Sequence, residues 1–531
     1  MVDIRVNYDH FFIGDLADAW HSSSVVTAPT ATHFEMADSL TGRKVAVTGS
    51  NFQGGAIGTT PTLGVVNAIT YYNHDGSLAW SITGLHVALA DFEKAIGTSS
   101  FTSTATIEAF FAQTGFSTGQ GLNFYGGIGG DTINGGYGED VIRGGLGADV
   151  ISGGFGHDRL YGGGQPATTP AEMDTLTYAN EVGGSPITVN VQKGRVTDTY
   201  GFVDRISGFE IIVGTSGADT FIAGNSKAFH GFVGGAGDDI FQGGAGSADA
   251  VFYDRLNTAG INITVSATGL LATGTSIGSD ALTNIDIIVG SVANDTVYGS
   301  NADEHITGGN GIDTLDGGGG RDTLDFSYET GAYGAVVNLS SGVDIDTYHS
   351  GLGSSSAYVE HATNFDNVVG SANADFITGS SAANRLDGGA GDDEIRGQGG
   401  KDVISGGGGN DWIVGGANID RLSGGGGSDV FVFAHDDTGK TSATADTISD
   451  FSANQGDIID LSPIDANDKK GGNQVFHFVA DHAFHHAAGE LRFAIVKGDT
   501  FVYGDTNGDG KADFEIHLSG VVKLDAGDFN F

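Results

Sequence analysis

Between residues 126 and 433, bulky apolar side chains return at every ninth position through several runs. In the run that opens at Gly126 they are Ile133, Ile142, Ile151 and Leu160. In the longest run, from Gly370, they are Ile377, Leu386, Ile395, Ile404, Ile413, Leu422 and Phe431. Each is the middle of a trio, and six glycine-rich residues separate one trio from the next. This period is neither helical nor that of a single strand. It predicts three-residue strands with the middle side chain turned inward, joined by six-residue turns. Two units close one flattened coil, so Ile133 stacks under Ile151 and Ile142 under Leu160.

Other stretches alternate instead. KVAVTGSNF, VVNAITYYN and LAWSITGLHV, all before residue 123, read as strands, and STATIEAFFAQ reads as a helix. Between the nonapeptide runs lie three spacers with a shared order of features: Asp174–Tyr178 with GSPITVNV, Asp249–Tyr253 with GINITVSA, and Asp322–Phe326 with GAVVNLSS. Each ends in a similar phrase, GFEIIVGTSGADTF, NIDIIVGSVANDTV or NFDNVVGSANADFI. They read as β-rich caps or as coils of the same solenoid with loops pushed out. The chain is therefore expected to be all-β. It divides into an N-terminal β-rich module (1–123), repeat blocks (124–164, 214–247, 290–325 and 370–433), β spacers (165–213, 248–289 and 326–369) and a C-terminal domain (434–531).

Composition explains the turns. Glycine supplies 91 of the 531 residues, and a turn of the form Gly-Gly-x-Gly-x-Asp visits positive φ repeatedly, which glycine does at least cost. The sixth position carries the chemistry. It holds Asp131, Asp140, Asp149 and Asp158 in the first block, Asp219 and Asp239 in the second, and Asp295, Asp313 and Asp322 in the third. In the fourth it holds Asp375, Asp393, Asp402, Asp411, Asp420 and Asp429. Glu304 and Asn384 take this place in two units, and Asn418 replaces the fourth-position glycine in another, so weak or empty sites are expected there. Stacked carboxylates a strand spacing apart, ~4.8 Å, repel one another unless a cation lies among them. Hard carboxylate and carbonyl oxygens, with no cysteine in the chain, select calcium over zinc or copper. A core one side chain thick does not offset an ordering entropy of ~1–2 kcal/mol per residue, so folding is expected to be coupled to metal binding.

Acids outnumber bases 66 to 23, a net charge of −43, which repels nucleic acid. The lack of cysteine excludes disulfide scaffolds and thiolate zinc sites. No window of apolar residues is long enough to span a membrane as a helix. Disorder is opposed by 39% hydrophobic residues, including 32 phenylalanines.

The nonapeptides resemble the calcium-binding repeat of RTX (hemolysin-type) proteins, GGxGxDxUx. That resemblance implies a right-handed parallel β-roll. The end of the chain, GGGGSDVFVF…ADTISDFSANQGDIIDLSPIDAN followed by GELRFAIVKGDTFVYGDTNGDGKADFEIHLSGVVKLDAGDFNF, resembles the secretion domain of serralysin-type proteases. It implies export by a type I secretion apparatus through an uncleaved signal that includes Asp528-Phe529-Asn530-Phe531, with no N-terminal signal peptide and an extracellular location. Cytosolic calcium is too low to fill modules with affinities of ~10⁻⁴–10⁻³ M, so folding would follow export. Within this domain Asp505, Asn507 and Asp509, with Gly510, match the first half of an EF-hand loop, but Ile516 stands where the bidentate glutamate belongs.

Catalytic signatures do not withstand scrutiny. No histidine is followed by glutamate, so the HExxH of zinc proteases is absent. Gly115-Phe116-Ser117-Thr118-Gly119 fits GxSxG, a pattern that a glycine-rich chain produces by composition. The stretch Ala434–Thr441 mimics a phosphate loop but places two aspartates where phosphate would sit. His477, His482, His485 and His486 form a loose cluster in a strand-rich region. The expected protein is a secreted, non-enzymatic calcium binder of about ten ions, allowing fewer sites than turns in each block. Its expected role is a surface, matrix or adhesion protein with a cell-surface or polysaccharide ligand at the N-terminal module. The alternative is a secreted enzyme or effector with its activity in that module or a spacer.

Overall fold

The computed structural model describes residues 130–531 with side chains, apart from 137, 164–172, 182–184, 226–227, 246–247, 256–258, 329–333 and 341–360. Strands at 345–349 and 358–360, and those before residue 126, are described as backbone, with the side chain of Phe124. The predicted helix at 103–113 and the GxSxG segment lie outside the described residues. Among the described residues there is no α-helix, only strands and short 3₁₀ turns. Two compact units are present: residues 1–251 with 276–285, and residues 252–275 with 286–531.

In the first unit the nonapeptide trios form the expected strands. Thr132–Asn134 pairs in parallel with Val150–Ser152, and Val141–Gly145 with Arg159–Gly163. The middle residues Ile142, Ile151 and Leu160 are fully buried between the two sheets. Further along, Phe221, Phe232 and Phe241 take over, with the Phe221 and Phe241 rings stacked 5.0 Å apart. Glycine is required where one turn lies on the next: Gly154 has φ 83°, and a Cβ there would sit 2.3 Å from the Gly136 carbonyl oxygen.

The first spacer is a set of coils of the same roll, not a cap. Thr175–Thr177 lies in parallel between Val150–Ser152 and Ile211–Val213. Val203–Ser207 pairs in parallel with Arg159–Gly163. The pushed-out part is antiparallel, with Arg195–Thr197 between Thr188–Asn190 and Val203–Ser207. Before the roll, His33–Ala37, Lys44–Gln53, Leu63–Tyr72 and Leu78–Ala88 form an antiparallel meander. Val2–Val6 joins it antiparallel to Leu78–Ala88 and lies in parallel with Leu122–Tyr125. That last strand pairs with Val141–Gly145, so the N-terminal sheet covers the first edge of the roll.

The second unit repeats the plan. Arg385–Ala390, Val403–Gly408 and Arg421–Gly426 stack on one side, and Phe376–Thr378, Glu394–Arg396, Trp412–Val414 and Val430–Val432 on the other. Its two hairpins, Ile261–Ser266 with Gly269–Gly274 and Ile345–His349 with Tyr358–Thr363, are spacer insertions. The C-terminal region extends both sheets. Asp446–Ile448 carries the antiparallel set Phe514–Leu518, Asp499–Asp505 and Glu490–Val496, while Ile458–Asp460 pairs in parallel with Phe529–Asn530.

Candidate metal centres

Every sixth-position aspartate of the repeat blocks is at most 6% exposed. The structure stacks them in columns along the roll. From Asp149 onward each aspartate accepts, through Oδ1, a backbone N–H of the coil below. Asp149 accepts from Asp131 at 2.8 Å, Asp158 from Asp140 at 2.8 Å, and Asp239 from Asp219 at 2.7 Å. In the second unit Asp313 accepts from Asp295, Asp322 from Glu304, Asp393 from Asp375, and Asp402 from Asn384. Asp411, Asp420 and Asp429 continue the two columns by accepting from Asp393, Asp402 and Asp411. The neighbouring backbone, rather than the neighbouring carboxylate, thus meets half of each group.

The other half has no such partner. Oδ2 of Asp149, Asp158, Asp239, Asp322, Asp393, Asp402, Asp411, Asp420 and Asp429 is buried with no hydrogen-bond donor. An ionised carboxylate oxygen in that state is strongly disfavoured without a cation. The first glycine of each turn makes room for it: a Cβ on Gly144 would lie 2.0 Å from Asp149 Oδ2, and one on Gly424 would lie 2.1 Å from Asp429 Oδ2. Burial therefore raises the carboxyl groups, against the opposing backbone N–H. Asp158 and Asp239 are pushed up to about 8, Asp149, Asp393 and Asp402 to about 7, and Asp411 and Asp420 to about 6.

Three of the predicted ligands behave differently. Asp219, Asp295 and Asp375 belong to turns with threonine or serine after the first glycine. There the turn itself satisfies the carboxylate: Oδ2 accepts from the backbone N–H of Thr215, Ser291 and Ser371, each at 2.6 Å. The hydroxyls of the same residues donate to Oδ1. Glu304 and Asn384 are held in the same manner by Ser300 and Ser380. Asn418 keeps the turn by adopting φ 87° in place of glycine.

The roll also recruits carboxylates that nonapeptide spacing does not mark. Asp174, Asp204 and Asp280 receive the N–H of Asp149, Asp158 and Asp239. Asp446 and Asp457 receive those of Asp420 and Asp429. Asp446 also has an unpartnered Oδ2, and burial pushes it up to about 8. All five share the local signal Asp-x-apolar without the glycine turn. At His230 the column carries an imidazole, its Nδ1 2.9 Å from Asp249 Oδ1.

Oxygen donors with unfilled lone pairs, crowded against glycine backbone, fit calcium. Among the described residues no three acidic or imidazole side chains converge on one point. Each ion would therefore be held by one or two ladder carboxylates together with turn carbonyls, and when bound it would neutralise the buried charge. The EF-hand-like loop is closed by its own bonds: Asp505 accepts from the N–H groups of Gly508 and Gly510, and Asn507 Oδ1 from Asp509. The histidines are likewise dispersed. His482 contacts the Val479 carbonyl, His485 contacts Glu490, and His486 contacts the Asp509 carbonyl.

The RTX calcium-binding nonapeptide repeat (4 copies) matches residues 125–165, 206–227, 232–247, 281–327 and 369–448 in overlapping segments. The repeat blocks are RTX calcium-binding nonapeptide repeats. No curated protein matches this chain. Among solved structures it is similar to two subunits of the Azotobacter vinelandii mannuronan C5-epimerase. The AlgE6R2 subunit is 26% identical, covering 31% of this chain and 91% of that one, with a TM-score of 0.18. The AlgE6R3 subunit is 24% identical, covering 30% and 80%, with a TM-score of 0.16. The extracellular lipase LipA from Serratia marcescens is 14% identical over 78% of this chain and 40% of that one, with a TM-score of 0.16.

Proposed function

We propose that this is a secreted protein whose roll folds on extracellular calcium, and that it serves as a non-enzymatic surface, matrix or adhesion component. The observation that carries the calcium reading is the ladder of buried, unpartnered Oδ2 atoms along glycine-lined turns. Export is proposed to run through a type I channel before folding. Phe529 is buried in the sheet of the folded chain, so a signal that includes it is presented only by the unfolded one. About ten ions would cancel roughly twenty negative charges, which lets so acidic a chain become compact.

Equilibrium dialysis against labelled calcium, followed by light scattering of the loaded protein, tests this reading. About ten ions per chain together with calcium-dependent multimers supports it. A stoichiometry of one or two overturns the calcium ladder. Calcium-dependent turnover of a polymer by the purified chain overturns the non-enzymatic role.

A further inference from the structure

Three arginines stand side by side on the outer face of the first unit. Arg205 is the direct register partner of Arg159 on one side and of Arg195 on the other. All three are exposed, while the residues that follow them, Leu160, Val196 and Ile206, point into the core. Like charges directly opposite on neighbouring strands destabilise a sheet. In a chain with 66 acids and 23 bases, carboxylates to relieve the repulsion are plentiful. Arg396 uses one, pairing with Glu394. Yet among the described residues Arg159, Arg195 and Arg205 make no side-chain ion pair or hydrogen bond.

They line a cleft of about 270 Å³. His157 forms part of its wall, fixed by its Nδ1 against the Val203 backbone N–H at 2.9 Å and by the edge of Phe202. Glu139 lies at the cleft and Asp158, buried, lies beneath it. The Asp158 carboxylate is directed at the backbone of Asp140.

We infer that this cleft binds an oxyanion, a sulfate or carboxylate group, gripped by the guanidinium forks of Arg159, Arg205 and Arg195. A guanidinium presents paired N–H donors that match such a group, and three of them across adjacent strands converge more positive charge than any stabilising role in the sheet explains. The volume suits one small anionic group or one acidic sugar unit rather than a larger ligand. The same chemistry is offered by a free anion and by the acidic groups of a polysaccharide.

The test uses the full chain loaded with calcium, at constant ionic strength, titrated with sodium sulfate, dextran sulfate and neutral dextran. Sulfate is expected to raise the melting temperature of the unaltered protein, and dextran is expected to do nothing. Arg205→Gln is expected to melt higher than the unaltered protein without anion, because it removes the repulsion, and to lose the response to sulfate. Arg159→Gln with Arg195→Gln is expected to weaken binding at least about tenfold. Dextran sulfate binding far tighter than sulfate identifies a polysaccharide ligand, and equal affinity per sulfate identifies a free anion; either supports the site. No anion binding, binding unchanged in the variants, or a lower melting point for Arg205→Gln overturns it.

Discussion

At the residue scale, one atom distinguishes two kinds of turn. Where no serine or threonine follows the first glycine, Oδ2 of the aspartate is left without a donor, as at Asp402. Where serine or threonine follows the first glycine, the turn supplies the donors, as Ser371 does for Asp375. Asp402→Asn is therefore expected to lower the calcium stoichiometry by at least one ion, and Asp375→Asn to leave it unchanged; dialysis of the two variants checks the contrast. Glycines divide in the same way. Gly144→Ala forces a methyl against Asp149 Oδ2 and is expected to cost about 1–3 kcal/mol, whereas a Cβ on Gly408 meets nothing within 4 Å and its alanine variant should melt with the parent. The position of the ladder was legible in the sequence because aspartate keeps its register. The hydrogen-bonding difference was marked only by the serine or threonine after the first glycine, and its meaning emerges from the donors that reach Oδ2.

At the scale of elements, the trios and their stacking were readable because a fixed period forces one register. The spacers were harder. Their strands Thr175–Thr177 and Val203–Ser207 continue the roll, but Asp174 and Asp204 reach the columns through turns that share no pattern with the repeats. Their one sequence mark is the Asp-x-apolar triplet, and the pairing shows what it means. The C-terminal strand also has a structural duty beyond any address it carries: Phe529 lies beside Ile459 in register and 5.2 Å from the Phe478 ring. Phe529→Ala is expected to destabilise the C-terminal region by about 3 kcal/mol, read as faster proteolysis between residues 434 and 528 in calcium, with the repeat blocks unaffected.

For the whole molecule, net charge and burial combine into a dependence on protons and calcium. Without metal, the ladder carboxyls are raised by burial from an unfolded value near 4 to about 6 for Asp411, about 7 for Asp149 and about 8 for Asp239. A group raised by folding stabilises the fold below its unfolded value and loses that contribution as the pH climbs through its folded one. The metal-free roll should thus be most ordered near pH 4 and should melt between about pH 6 and 8. Over the same window calcium affinity should rise, with protons released on binding. Circular dichroism across that range in chelator checks the first statement, and an unfolded spectrum at pH 4 would refute it.

Calcium binding is proposed to drive the folding of this chain. Light scattering coupled to size exclusion, with chelator and again in ~1 mM calcium at neutral pH, tests it most directly. An expanded monomer that contracts when calcium is added is expected, with or without later assembly. Identical elution and mass under both conditions would contradict it, because the buried ladder would then be stable without the ion it is built to hold.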